Sequence, residues 1–374
     1  MSSPSRKPCA RKSPDHKKSS APAPKLVCVA IVGTGGMANR HAELYAQIPG
    51  VQLVGACDVD RARVEAFCTK HGIPATGAYT DLAKLLRDCP CDAVSNVTPD
   101  AFHAALSIQL LEAGKHVLCE KPLGLNHAET KRMVAAAQKA GTVAMVNFSY
   151  RDWSALQAIA ARVHAGEIGE LRHVEASYLQ TWLSSPIWGD WRTTPAWLWR
   201  LSTQHGSKGV LGDVGVHIVD FATFPAGPIK KVFCQLKAFA KAPKNRIGDY
   251  PLDANDSAVL NVEFVNGALG IIHTTRWATG HPNRLALRLH GTAGAFSFDS
   301  DLGTDTYKAC LSADVGIAKW RDIKASPTPH NHTRFIAAIR SGVASQPDFA
   351  RGSEIQRVLD ACFESDATGK PVKI

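Results

Sequence analysis

Between Leu26 and Phe148 short apolar runs alternate with longer amphipathic stretches. The runs are LVCVAIV (26–32), VQLVGAC (51–57), DAVSNV (92–97), HVLCE (116–120) and TVAMVNF (142–148). Segments 40–48, 60–71, 100–113 and 126–140 between them are rich in Ala, Leu, Glu and Lys, with apolar residues at helical spacing. Asp100 and Asn126 stand where helices need caps, and Gly114 and Gly141 where they need stops. Continuous apolar strands separated by helices predict an α/β, doubly wound parallel sheet covered on both faces.

After about residue 150 the pattern lengthens and begins to alternate. RHVEASYLQTW (172–182), KKVFCQLKAFA (230–240), 256–278 and RLALRLHGTAGAFSFD (284–299) read as strands joined by hairpins. Asn266-Gly267 is the sequence signature of a type I′ turn. Helices are expected over 332–342 and 353–367. The predicted organisation is a basic tail (1–25), a Rossmann domain (26–149) and an α+β domain (150–374) with a large, mostly antiparallel open sheet.

Charge adds a refinement. The formal net charge is +10, but residues 1–25 hold seven Lys/Arg against one acid and so account for +6 of it. A solvated tail is expected there, with nucleic acid not a partner. No apolar run is long enough to suggest a membrane span, and the tail lacks the apolar core of a secretory signal. The ten cysteines are scattered without C-x-x-C spacing, which reads as core thiols in a reducing cytoplasm, with no metal. HNH at 330–332 reads as a helix start.

The first strand runs into GTGGMANRH (33–41), where Gly33, Gly35 and Ala38 fit G-x-G-x-x-A in strand–turn–helix context. Gly33 permits a tight turn, Gly35 lets backbone approach a pyrophosphate, and Ala38 lets helix pack on strand. With Thr34, Gly36 and Met37 they form the expected dinucleotide loop. Asp58 ends the next strand, twenty residues after Ala38, where a carboxylate would accept from an adenosine ribose and repel a 2′-phosphate. That favours NAD over NADP, although Arg61 and Arg63 close behind soften the discrimination. Asn96, Thr98 and Pro99, at the end of the 92–97 run, are expected along the same cleft. His103 reads either as a cleft residue or as a surface histidine.

Glu120-Lys121-Pro122 ends the 116–120 run on the same edge, with Lys121 expected to project toward the nicotinamide end. Asp213 and His217, in GVLGDVGVHIVDF (209–221), are four apart and share a face if helical. The glycines there weaken a helix but permit close approach. Asp220 is placed to position His217.

GTGGMANRH, CEKPLGLNHAE and GVLGDVGVHIVD, in this order, resemble the glucose–fructose oxidoreductase/inositol dehydrogenase (Gfo/Idh/MocA) family, as do FIAAIRSG and ESDATGKPVKI near the C-terminus. The similarity runs from about Leu26 to Ile374. It implies an NAD(P)-dependent oxidoreductase acting on a sugar, inositol or sugar derivative. By the same resemblance His217 is the general base, Lys121 stabilises alkoxide charge, and Asp213 orients the substrate. The same scaffold also accommodates an NAD-retaining glycosidase or eliminase, or a non-catalytic sugar or NAD sensor.

Segment 181–209 holds five of the eight tryptophans: Trp182, Trp188, Trp191, Trp197 and Trp199. With Arg192, Arg200 and His205 they suit either a polyhydroxylated ring or a packed interface. Tyr150, Arg151, Trp191 and Arg192 join Lys121, Asp213 and His217 as expected substrate contacts. The open sheet is expected to form a homodimer or homotetramer.

Overall fold

The structure, a computed structural model, describes residues 24–374, apart from the side chains of Pro195 and Ala196. The basic tail expected over 1–25 therefore lies almost wholly outside the described residues. In the first half β1 is Val27–Val32, α1 Gly36–Ala46, β2 Val51–Cys57, α2 Arg61–His71, β3 Ala78–Tyr79 and α3 Leu82–Asp88. Then come β4 Ala93–Asn96, α4 Asp100–Glu112, β5 His116–Cys119, α5 His127–Ala140 and β6 Ala144–Val146.

These six strands pair in parallel in the order β3-β2-β1-β4-β5-β6. Their apolar runs are buried because helices cover both faces. Asp60, Asp81 and Asn126 cap α2, α3 and α5 by accepting backbone N–H bonds. Gly141 closes α5 in the left-handed region. At α4 the cap position is Pro99, so Asp100 sits in the first turn instead. Strand order reverses between β1 and β4, and crevices that bind ligands open at such a point.

The second half contains α6 Ser154–His164, β7 Leu171–Gln180, α7 Pro195–Leu198, α8 Val216–Ala226, β8 Ile229–Lys237, β9 Arg246–Ile247 and β10 Tyr250–Pro251. It continues with β11 Ser257–Phe264, β12 Leu269–Thr275, β13 Asn283–Gly291, β14 Gly294–Asp299, β15 Thr306–Leu311 and β16 Arg321–Lys324. The chain ends in α9 Asn331–Ser341, α10 Phe349–Thr368 and β17 Val372–Lys373. Nine of these strands form one sheet, β16-β15-β14-β13-β7-β12-β11-β8-β17, antiparallel except where β12 runs parallel to β7. The β11–β12 hairpin is present, but only Gly267 of the Asn266-Gly267 pair has positive φ (+87°). A type I′ turn needs both residues there. Instead Gly267 N–H donates to Phe264 O, and Asn266 spends its side chain on Ala226 O and Ala268 N.

The C-terminal helices return to the first sheet. Phe335 and Ile336 of α9 pack with Val27, Val29, Tyr45, Leu118 and Met145. The segment before α10 pairs with β6 through a 3.0 Å bond from Val146 N–H to Pro347 O. His330 precedes α9 at its cap position, with Nδ1 3.2 Å from Asp152. No helix among the described residues is long and apolar enough to cross a membrane.

Candidate active site

At the carboxyl ends of β1, β4 and β5 lies a cleft of about 950 Å³, at the upper end for small-molecule sites. Gly33 turns the chain out of β1 with φ +86°, and a Cβ there would stand 2.7 Å from Val97 O. Gly35 occupies the cap position of α1 with no side-chain cap, so the first N–H groups of that helix remain available. A Cβ on Gly35 or Gly36 would meet nothing within 4 Å. Protein packing therefore leaves room beside this loop, as a phosphate cradle requires. Met37, about half exposed, lines the same cleft.

Asp58 is nearly buried and receives Thr34 N–H at 2.8 Å, Thr34 Oγ1 at 2.9 Å and Asp60 N–H at 3.0 Å. Burial opposes its charge, but these bonds and Arg63 at 3.4 Å outweigh burial and lower its pKa. Thr34 thus spends its side chain on holding Asp58. Arg61 turns away toward Ala78 O and Thr80. Asn96, expected along the cleft, is fully buried beneath it. Its amide donates to His103 O and Ser107 Oγ, and its oxygen accepts from Thr98 Oγ1 at 2.7 Å. It supports Thr98, which lines the cleft with Pro99.

Glu120 and Lys121 follow β5, with a cis peptide between Lys121 and Pro122. Glu120 is buried, 2.9 Å from His41 Nε2 and 2.6 Å from Asn147 Nδ2. Burial would raise its pKa, but His41, Asn147 and Lys121 hold it well below the ordinary carboxylate range. Lys121 Nζ donates to Asp213 O at 2.9 Å and lies 3.4 Å from Asp213 Oδ1. Asp213 Oδ2 accepts from Arg276 Nη2 at 3.0 Å, with Arg200 Nε at 3.8 Å. Against the cost of burial, these three cations keep Asp213 ionised, with its pKa well below normal.

Asp213 lies in a π-helical turn, Leu211–Gly215, that runs directly into α8, which carries His217. Single π turns recur at functional sites because they re-aim side chains within a helix. His217 is 6% exposed, and its Nδ1 has no hydrogen-bond partner. Burial first, then the charge of Lys121, lowers its pKa to about 3, against the pull of Glu120, Asp213 and Asp220. The imidazole is therefore neutral at pH 7. Tyr150 packs edge-on to it at 4.7 Å and bonds Tyr178 through their hydroxyls at 2.5 Å.

Other expected residues are used elsewhere. Arg151 is buried, and its guanidinium makes two 2.7 Å bonds to Asp220, which also binds Arg351 at 2.8 Å. Arg151 is thus turned to Asp220 rather than to the cleft, and Asp220 acts on His217 through its charge, with no hydrogen bond between them among the described residues. Trp191 is 2% exposed in a satellite core with Trp182, Leu183, Leu198, Leu201 and Leu252. Its indole N–H donates to Leu183 O. Arg192 lies outside the cleft lining, exposed beside Asp190 and over Trp191. Trp199, Arg200, His205 and Lys208 do line the cleft. Arg276 was missed by sequence reasoning. The signal is the inward alternation of Gly270, Ile272 and Thr274, which it continues with a charge.

Residues 27–148 match the family described as "Oxidoreductase family, NAD-binding Rossmann fold", and residues 156–297 the "GFO/IDH/MocA C-terminal domain". The levoglucosan dehydrogenase of Pseudarthrobacter phenanthrenivorans is 26% identical, over 91% of this chain and 96% of its own. The D-glucoside 3-dehydrogenase of Escherichia coli is also 26% identical, over 92% and 97%. Levoglucosan dehydrogenase in complex with NADH superposes with a TM-score of 0.83 at 25% identity, over 94% of this chain and 99% of that one. An oxidoreductase domain protein from Kribbella flavida gives 0.83 at 32% identity over the same shares. A glycine loop after β1, a Lys121–Asp213 pair lining the same cleft, and matches spanning both sheets lead to one assignment: the chain belongs to the Gfo/Idh/MocA family of NAD-binding oxidoreductases.

Proposed function

We propose that this enzyme transfers hydride between the nicotinamide of NAD and a hydroxyl-bearing carbon of a sugar, inositol or sugar derivative. The observation that carries the reading is the Lys121 ammonium held against Asp213 in the cleft, four residues before a buried, neutral His217. The Gly33–Met37 loop would hold the pyrophosphate, Asp58 the adenosine ribose, and Thr98, Pro99 and Glu120–Lys121 the nicotinamide end. When bound, NAD supplies the hydride acceptor. His217 takes the hydroxyl proton at a ring nitrogen. An imidazole with so low a proton affinity is a weak base, so the hydroxyl itself must be made more acidic. Lys121 does this by donating to the oxygen as negative charge develops, an effect on the order of 3–4 kcal/mol for a donor in a dry site. Asp213, anchored by Arg276 and Arg200, fixes the ammonium and orients the polyol. Dehydrogenase names among relatives support this reading.

The ionised Asp58 favours NAD over NADP, since a 2′-phosphate would meet a carboxylate. We further infer self-association through the uncovered sheet face, where Val259, Leu269 and Ile271 are exposed on one side of the β11–β12 hairpin; sedimentation of Ile271→Lys, expected to lower the oligomer mass, tests it. For the reaction, absorbance at the reduced-nicotinamide band is followed with NAD against a panel of sugars and cyclitols. Aglycone release without net reduction of NAD would replace the reading with that of a cofactor-retaining hydrolase.

A further inference from the structure

His103, fully buried in α4, lies between two loops that edge the cleft. Its Nδ1 is 2.7 Å from Pro122 O, and its Nε2 is 2.8 Å from Thr98 O. Both of these partners are carbonyl oxygens, which only accept; the Cys119 side chain is a further polar neighbour of the ring. A neutral imidazole has one N–H, so one ring lone pair would face a carbonyl lone pair at hydrogen-bond distance. Turning the ring over does not relieve this. It would place carbons against the same oxygens, well short of the roughly 3.3–3.6 Å of a C–H···O contact. His41 is different: its nitrogens meet Ser95 Oγ and Glu120 Oε1, and a hydroxyl can donate as well as accept.

We infer that His103 is a buried imidazolium whose two N–H groups staple the Thr98 loop to the Lys121–Pro122 loop, making it a positioning residue of the nucleotide cleft. Both stapled segments line the cleft, on the ends of adjacent strands β4 and β5. Loss of either N–H would free one loop while leaving the other in place. The ionisable groups facing the ring are Asp100 from its own helix and Cys119 from β5, with Lys121 beside Asp100. Burial alone would discharge the ring. Cys119, Asp100 and the Pro122 carbonyl outweigh burial and carry its pKa up to about 10.

The test uses the full chain with ¹⁵N-labelled histidine. At pH 8.5, where exposed histidines are neutral, one imidazole should keep both nitrogens protonated, and its signal should vanish in His103→Gln. The wild-type spectrum decides the charge even if the variant fails to fold, because absence of any doubly protonated ring refutes it. NAD titration of folded His103→Gln should show affinity weakened about tenfold or more, as for loss of a hydrogen bond from a charged donor. His103→Gln binding NAD like wild type would overturn the positioning role. Failure of the wild type itself to bind NAD would strike the functional reading instead, leaving the spectrum to decide the charge.

Discussion

The ammonium nitrogen of Lys121 lies 2.9 Å from the backbone carbonyl oxygen of Asp213, a residue ninety-two positions later. This contact joins the nucleotide-binding half to the helix that carries His217. An amine held by a carbonyl and a carboxylate keeps one direction for donation to a third oxygen. Replacement Lys121→Ala should therefore lower turnover by about 10²–10³-fold. NAD affinity by fluorescence titration should stay within a few-fold. Turnover near wild type would remove Lys121 from the reaction.

Asp58 is held ionised by Thr34, Asp60 and Arg63 where a nucleotide ribose would meet it. Substituting Ser removes the charge and leaves Arg63 unopposed by it. The ratio of NADP to NAD affinity should rise about tenfold or more, a change of roughly 1.4 kcal/mol. Parallel calorimetric titrations with both nucleotides read it directly, and an unchanged ratio would show that Asp58 does not select the cofactor.

Trp191 is packed in a small core with Trp182, Leu183, Leu198, Leu201 and Leu252. Cutting it to Ala should cost about 3–5 kcal/mol of unfolding free energy, visible in denaturant melts. NAD affinity should hardly move. A variant as stable as wild type with impaired sugar binding would return Trp191 to the substrate site.

His217 sets a pH dependence with a definite sign. Its pKa is about 3 in the folded chain, below its ordinary value near 6.5, so the unfolded chain binds more protons between those limits. Its contribution to stability is complete above about pH 6.5 and is lost as pH falls toward 3. His332, buried beside His41 and with its pKa also lowered, acts in the same direction. Thermal melts of His217→Asn should therefore fall less steeply with acid than wild type over this window. Superimposable slopes would show that His217 titrates normally.

Much of the fold was legible because parallel strands buried on both faces leave unbroken apolar runs, and the runs ending at Val32, Cys57 and Val97 became β1, β2 and β4, the last stopping at Asn96. The loop at Gly33, the acid at Asp58 and the Glu120-Lys121-Pro122 strand end were legible for the same local reason: each is a short motif at a strand terminus. What stayed hidden depends on partners distant in sequence. Arg151 looked available until Asp220, sixty-nine residues on, took its Nε and one Nη in a paired contact. Trp191 carries no mark that separates packing from ligand stacking. The π turn around Asp213 is invisible because α and π windings leave similar short-range patterns, and the double carbonyl contact of His103 exists only once two loops meet.

The return of α9 onto the first sheet carries a consequence for dissection of the molecule. Phe335 and Ile336, contributed from near the C-terminus, complete the apolar packing around Val27, Val29 and Met145. An excised fragment ending near residue 149 would present that greasy face to water and lose its last neighbours along β6. Self-sufficiency does not follow the line between the two sheets, and a shortened chain should clump before it could bind a nucleotide.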